Sequence, residues 1–499
     1  MASLTTREVS NTNYSVSDVI VTNNNASEYN LENFVIIWMD NNVNQSYDTR
    51  QTKVQLRSIV NFLKIFDNSN EGISYIEKIQ MEKIFLIISG TLGENVIPRI
   101  HHLSQIESIY IFCFDQDKHK LWTQKYNKVK GVYSDIEPIC DELKKTISQC
   151  SNDLVPMDII KFESNSNQQK SVHELNKQEA SFMYFQLLKQ LLLRMEYSKD
   201  VRDEMIEECR LHYADNQTQL KYINEFHCNY NPSEALRWYS RECFLYQILN
   251  KACRTQDIDR LYKFRFFIKD LHNQLKQLQT EFFELVSDMG TRLTVYRGQN
   301  MSRNEFEKKL KNNVNGLLSV NTFWSTTLYR ELAEGYALNG SDMESVLFQI
   351  SIDGNVDKNP IAYIQDFSSM TAENEVLFSI GTVFRIQSIE QLTMNGVWNV
   401  KLLLCAEEDE QLKILRDHML TEINAENDLL NLGKLMIRMG EYTKAEQFYY
   451  GLLNESSTNP QDVYLLFNDV GTVYDAKGNY TKALECYQKA LEIQQISNT

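Results

Sequence analysis

Several features are scarce or missing in this sequence, and each absence removes a class of protein. No stretch reaches the ~18 consecutive apolar residues of a membrane-spanning helix; the richest candidate, 182–195, is interrupted by Gln186, Lys189 and Gln190. The nine cysteines are scattered singly, odd in number and without a Cys-x-x-Cys pair, which is the pattern of reduced thiols rather than of a disulfide framework. Metal-ligand spacing is missing too: His101-His102 and His227-Cys228 are isolated pairs, so no metal is expected. Basic charge is in deficit, 51 Lys and Arg against 67 Asp and Glu, for a net −16. That balance argues against nucleic acid or an anionic membrane as partner. Residues 1–30 are rich in Asn, Ser and Thr but have neither a basic nor an apolar region of a signal peptide. They read as a disordered leader on a cytoplasmic protein.

What is present is globular. Hydrophobic residues make up 42% and aromatics 11% of 499 residues, enough for two to four domains. Residues 34–40, 83–89 and 109–115 are continuous apolar runs that end in polar residues, as strands buried on both faces do. Helix-capable stretches separate them, notably 54–66, and 129–133 followed by 136–147 continues the alternation. The pattern predicts a small α/β domain with a parallel sheet over 31–150. Asp40, Ser89 and Asp115 would line the polar edge of that sheet, either at a ligand or as loop caps. Gly90 and Gly93 could form a phosphate loop, although their spacing fits no fingerprint. Residues 151–172 are Gln-, Asn- and Ser-rich and read as a linker.

From 173 to 288 helix dominates. Phe185, Leu188, Leu192 and Met195 recur at helical spacing, as do Trp238, Leu245, Ile248 and Ala252. Between 289 and 408 β-branched and aromatic residues rise, which predicts a β-rich half and an α+β domain over 173–408. Residues 409–499 carry an internal repeat. Gly433, Gly440, Tyr442, Ala445 and Tyr449 are matched by Gly471, Gly478, Tyr480, Ala483 and Tyr487, each 38 residues later. This resembles the tetratricopeptide repeat with a four-residue insertion, and gives all-α repeats at about 426–459 and 464–497. Two copies are below the three or so that usually stand alone. Either they dock on the preceding domain or they belong to a longer array.

Three short motifs follow one another in the β-rich half: Val295-Tyr296-Arg297-Gly298, Phe323-Trp324-Ser325-Thr326-Thr327 and Glu373-Asn374-Glu375-Val376-Leu377. Each alone has a plain structural reading: a surface arginine, a strand edge, a solvated acidic turn. Their order over about 80 residues resembles the arginine-specific mono-ADP-ribosyltransferases of the Arg-Ser-Glu class. The segment 231–254, with Ala235-Leu236-Arg237-Trp238-Tyr239-Ser240, resembles the helical front of that family's catalytic domain, and 381–386 and 398–404 resemble its closing strands. The central cluster reads Ser-Thr-Thr where many members read Ser-Thr-Ser, so a hydroxyl is kept.

The resemblance implies a reaction and a division of labour. NAD, or NADP in its place, would be a co-substrate, and no prosthetic group is implied. The bond between nicotinamide and its ribose breaks through an oxocarbenium-like state. Arg297, with Gly298 and Gln299, would hold the pyrophosphate, since a guanidinium offers planar, permanently charged donors. Ser325 would fix the catalytic carboxylate, with Thr326 and Thr327 near the nicotinamide ribose. Glu375 would bind the ribose 2′-hydroxyl and stabilise the developing positive charge. Glu373 would receive the acceptor guanidinium and help to deprotonate it, because the pKa of arginine exceeds ~12. If the chain is extended between them, the two carboxylates point the same way. The loop 366–372 would meet the target, with Phe367 either a target contact or a packing residue. The expected partners are a protein carrying the modified arginine and a peptide or protein at the repeats. The alternatives are an NAD glycohydrolase, in which water replaces arginine, and a catalytically silent repeat adaptor.

Overall fold

A computed structural model describes residues 30–41, 48–161, 177–195, 197, 199–241, 243–288, 292–337, 343–353, 359–367, 374–392, 396–405, 413, 428–455 and 460–497. The first unit alternates strand and helix: β1 (Phe34–Met39), α1 (Asp48–Ile59), β2 (Leu63–Phe66), α2 (Ser69–Lys78), β3 (Lys83–Ser89), α3 (Gly90–Ile100), β4 (Ile106–Phe112), α4 (Gln116–Thr123), β5 (Val129–Tyr133) and α5 (Ile136–Asp153). Its five strands are parallel, in the order β2-β1-β3-β4-β5. Both faces of the sheet are covered, with Phe34, Ile36 and Phe85 in one apolar layer and Val35, Ile37 and Leu86 in the other. That two-sided burial is why the strands are uninterrupted apolar runs.

Two expectations for this unit change. The stretch 54–66 is not one helix, because its last four residues, Leu-Lys-Ile-Phe, pair with β1 as β2. Gly90 and Gly93 do not form a phosphate loop: they lie in the first turns of α3, and an added Cβ would come within 2.5 Å of the His119 ring at Gly90 and 3.2 Å of Trp122 at Gly93. They are small so that α4 can pack closely. At the sheet edge, Asp115 caps α4 by accepting from the Lys118 amide at 3.3 Å.

The next unit opens with an edge strand, β6 (Met157–Ile160), inside the stretch expected to be linker. Met157, Ile159 and Ile160 are buried, and β6 pairs antiparallel with residues 317–320. The helical front follows as α6 (Lys177–Arg194), α7 (Lys199–His212), α8 (Gln217–Asn229), α9 (Ala235–Tyr239), α10 (Phe244–Thr255), α11 (Ile258–Lys263) and α12 (Arg265–Asp288). Then come β7 (Arg292–Ser302), the short helical turn α13 (Arg303–Glu305), β8 (Leu317–Val320), β9 (Trp324–Thr327), α14 (Arg330–Ala337), β10 (Met343–Asp353), β11 (Ile361–Tyr363), β12 (Glu375–Phe378), β13 (Thr382–Gln391) and β14 (Trp398–Leu404). These strands form one mixed nine-stranded sheet, β11-β12-β9-β7-β10-β14-β13-β8-β6, in which β10 and β14 run parallel and the other pairs antiparallel.

The repeats are two antiparallel helix pairs: α15 (Asp428–Arg438) with α16 (Tyr442–Glu455), and α17 (Pro460–Ala476) with α18 (Tyr480–Ser497). They dock on the helical front. Leu432, Leu435, Phe448 and Tyr449 share one apolar cluster with Phe182, Tyr184, Leu188 and Phe267. The repeat glycines explain their own spacing. A Cβ at Gly433 would lie 2.1 Å from the Tyr449 ring, and one at Gly471 would lie 2.5 Å from Tyr487.

Candidate active site

The site forms where two strands part. Within β9 and β12, Thr327 stands opposite Glu375 and Ser325 opposite Leu377. Facing residues on paired strands project to the same side, and direction alternates along each strand. Ser325, Thr327 and Glu375 therefore share one face. Trp324, Val376 and Phe378 enter the apolar layer on the other. Strand β7 touches β9 at the pair Tyr296–Thr327, and Arg297 is the next residue. Its guanidinium spans the fork: Nη1 donates to the Ser325 carbonyl at 2.7 Å, Nη2 donates to the Asn152 carbonyl at 2.7 Å, and Nε reaches Gln299 Oε1 at 3.5 Å. Those bonds engage three of the five guanidinium donors. Burial pulls the Arg297 pKa below its ordinary value, while the charges of Asp153 and Glu375 act in the opposite direction. Lowered or not, an arginine stays cationic at neutral pH.

A cavity of about 530 Å³ opens at this fork, with Arg297, Ser325, Thr327 and Glu375 in its wall. Its size falls within the range of small-molecule sites. The helical front contributes Tyr239, Tyr246 and Asn250. Their polar atoms are organised: Thr322 Oγ1 donates to Asn250 Oδ1 at 2.7 Å, and the Tyr239 hydroxyl reaches the Phe323 carbonyl at 3.4 Å. Burial holds the Tyr239 phenol well above its usual pKa, so it is a neutral donor. Arg241 is held by two bonds to Glu225, at 2.9 and 3.2 Å, and stacks over Trp238. The charge-assisted bonds to Arg241 hold the Glu225 carboxyl below its ordinary pKa.

Not every residue singled out in the sequence does what was expected of it. Thr326 is buried on the opposite strand face, and its hydroxyl donates to the Val376 carbonyl at 2.8 Å; alternation along β9 turns it away from Ser325 and Thr327. The Thr327 hydroxyl accepts from the Tyr329 amide at 3.1 Å. At Gly298 the missing side chain faces α14, where an added Cβ would stand 1.7 Å from the Ala333 carbonyl oxygen. The glycine thus admits a helix, where a close approach of phosphate was expected. Gln299 is buried and directs its amide oxygen at Arg297.

Glu373 lies outside the described residues. Its neighbour Asn374 has φ +45°, a left-handed conformation, so the backbone is not extended at that residue. Asn374 is pinned there, with its side chain accepting from the Tyr363 hydroxyl and its carbonyl from the Leu328 amide at 3.4 Å. Asparagine tolerates this conformation better than most residues. Phe367 is partly buried against the helical-front cluster, and its carbonyl accepts from Ser240 Oγ at 3.0 Å, which suits a packing residue.

One part of the site has no signal in the motifs. Helix α5 of the first unit ends against β7: besides the Asn152–Arg297 bond, Asp153 Oδ1 accepts from the Asn300 amide at 2.7 Å. Burial raises the Asp153 carboxyl to about 6, against the lowering effect of the Asn300 bonds and of Arg297. These partners lie some 150 residues apart in sequence, and no local pattern announces such a pairing.

Among the described residues no group of three or more His, Cys, Asp or Glu side chains could hold a metal, and no helix is long and apolar enough to cross a membrane. Residues 182–409 match the family model described as NAD:arginine ADP-ribosyltransferase, and residues 425–496 match that of the tetratricopeptide repeat. Solved structures similar to this chain include the C3 exoenzyme of Clostridium limosum, 14% identical over 42% of this chain and 97% of that one, with a TM-score of 0.28. HopU1, an ADP-ribosyltransferase of Pseudomonas syringae pv. tomato DC3000, is 17% identical over 48% of this chain and 100% of that one, TM-score 0.27. Vis toxin, an ADP-ribosyltransferase from Vibrio splendidus, is 19% identical over 44% and 92%, TM-score 0.25. No curated protein matches the chain. The central region of this chain thus matches the model of the ADP-ribosyltransferases, a family that uses NAD as co-substrate, and a region that matches the tetratricopeptide repeat follows it.

Proposed function

We propose that the chain transfers ADP-ribose from NAD to an arginine of a protein target and releases nicotinamide. The observation that carries this reading is the convergence of Arg297, Ser325 and Glu375 on one cavity at the fork of β7 and β9. In this reading the two remaining donors of Arg297 take pyrophosphate oxygens. Glu375 accepts from the ribose 2′-hydroxyl and stabilises the cation that forms as the C1′–N bond breaks. Nicotinamide leaves with the bonding electrons, a guanidinium nitrogen of the target attacks C1′, and Glu373 takes the proton that this nitrogen loses. The repeats would hold a peptide or protein partner on the surface that the helical front leaves uncovered.

An assay with NAD and agmatine, a small guanidine, tests the assignment. Glu375→Gln is expected to lower both nicotinamide release and transfer by about a hundredfold or more, the scale on which removal of a transition-state contact acts. Glu373→Gln is expected to lose transfer and keep part of the hydrolysis. Wild-type turnover by Glu375→Gln would refute the assignment. Nicotinamide release that does not respond to agmatine would point to a glycohydrolase.

A further inference from the structure

We propose that the N-terminal α/β unit forms the second wall of the dinucleotide cleft, and that Lys144 on α5 is a ligand of the dinucleotide phosphates. This rests on reading the cavity at Arg297 as the NAD site.

Three observations converge. First, the cavity that contains Arg297, Ser325 and Glu375 is also lined by Lys144, Ser148 and Ser151 of α5 and by Arg57 of α1. Lys144, Ser148 and Ser151 are spaced i, i+4 and i+7, so they occupy one helix face. Leu143 and Cys150, off that face, are buried in the apolar layer under the parallel sheet. Helix α5 therefore has one side for its own domain and a polar side for the cavity.

Second, the wall is fixed in place. The last turn of α5 is tied to β7 through Asn152–Arg297 and Asp153–Asn300. Further along the junction, Lys251 of α10 donates to Glu82 at 2.6 Å and to the Asn30 carbonyl at 2.7 Å, and Arg254 donates to Asn33 Oδ1 at 2.8 Å. Tyr213, the residue after α7, donates to Glu32 at 2.6 Å. A unit held by this many bonds presents a defined surface to the cleft.

Third, the charge suits the ligand. The chain as a whole carries −16, yet the α5 residues that line the cavity, Lys144, Ile147, Ser148, Ser151 and Asn152, include a lysine, two serines and no carboxylate. Asp141 and Glu137 line a neighbouring recess that shares Ser58, Ile59 and Lys144 with the cavity. Arg57 is already compensated by Asp215 at 2.6 Å. Lys145 points elsewhere and pairs with Glu142. Lys144 has no ion pair among the described residues. An ammonium on a flexible stem beside hydroxyls is suited to a pyrophosphate that enters between α5 and Arg297.

Isothermal titration of the full-length chain with NAD tests this. Lys144→Glu is expected to weaken NAD binding about five- to tenfold, the scale of reversing one partly screened charge contact. It should raise KM with little change in kcat. Lys144→Arg should stay within about twofold of the wild type, and Lys145→Glu, one residue along the same helix, should bind as the wild type does. Unchanged or tighter NAD binding by Lys144→Glu, alongside an NAD-binding wild type, overturns the proposal and leaves the active-site reading standing. Failure of the wild-type chain itself to bind NAD overturns both.

Discussion

Gly298 separates two explanations that the sequence alone does not distinguish. If the glycine served phosphate approach only, Gly298→Ala would weaken NAD binding and leave stability intact. The 1.7 Å gap to the Ala333 carbonyl makes the opposite prediction: α14 must move away from β7, at a cost of about 3 kcal/mol. In a unit of this size that is roughly 6–12 °C in Tm, readable by scanning calorimetry. Asp153 offers a second residue-scale test. Its folded-state pKa, about 6, lies above the ordinary 3.8, so the native state holds the proton more tightly than the unfolded chain does. The stability from this group is full below pH ~4 and is lost as pH rises through about 6, on the order of 1–2 kcal/mol after solvent screening. Asp153→Asn should flatten the stability slope between pH 4 and 6, as measured by urea midpoints, and parallel wild-type and mutant curves would exclude the effect. At this scale the order of the three motifs was legible in the sequence, and the structure brings Arg297, Ser325 and Glu375 to one cavity. The direction of Thr326 and the left-handed backbone at Asn374 were not legible, since both depend on how β12 is registered against β9.

Elements were read well wherever periodicity was unambiguous. The apolar runs of β1 and β3 and the paired repeat helices stand where the pattern placed them, and β4 begins three residues before its expected run and ends three before the run does. Two strands escaped for the same physical reason. Four-residue β2 and β6 are too short to show alternation, and each earns its conformation from a partner distant in sequence, β1 in one case and β8 in the other. Leu63-Lys64-Ile65-Phe66 follows a helical stretch without a break, so helix spacing ran on through it. Residues 157–160 sit amid polar text, and the nine-stranded sheet is what buries them. Glycine gave a clearer signal in the repeats than in the α/β unit. Gly433 and Gly471 each precede by sixteen residues the tyrosine that fills their space. Gly90 and Gly93 face His119 and Trp122 on a different helix, a relation no repeat advertised.

For the molecule as a whole, the finding that changes the picture is that neither flanking unit hangs on a tether. The α/β unit contributes to the cleft, and the repeats share their apolar cluster with the helical front. Two repeats are short of the number that usually stands alone, and the missing neighbour is supplied by the α6 face carrying Tyr184 and Leu188. Stability should then couple across the boundary. Leu435 on α15 is 1% exposed and belongs to that common cluster, so Leu435→Ala is expected to cost about 2–5 kcal/mol. With a shared core, the loss appears in the transition that also abolishes NAD turnover, shifted down by several degrees as one event. With independent units, calorimetry would show a separate repeat transition moving alone while heat inactivation of turnover stayed at its wild-type temperature. The first outcome makes the repeats a structural part of the enzyme, so a partner that binds them acts on a surface continuous with the helices that line the cleft.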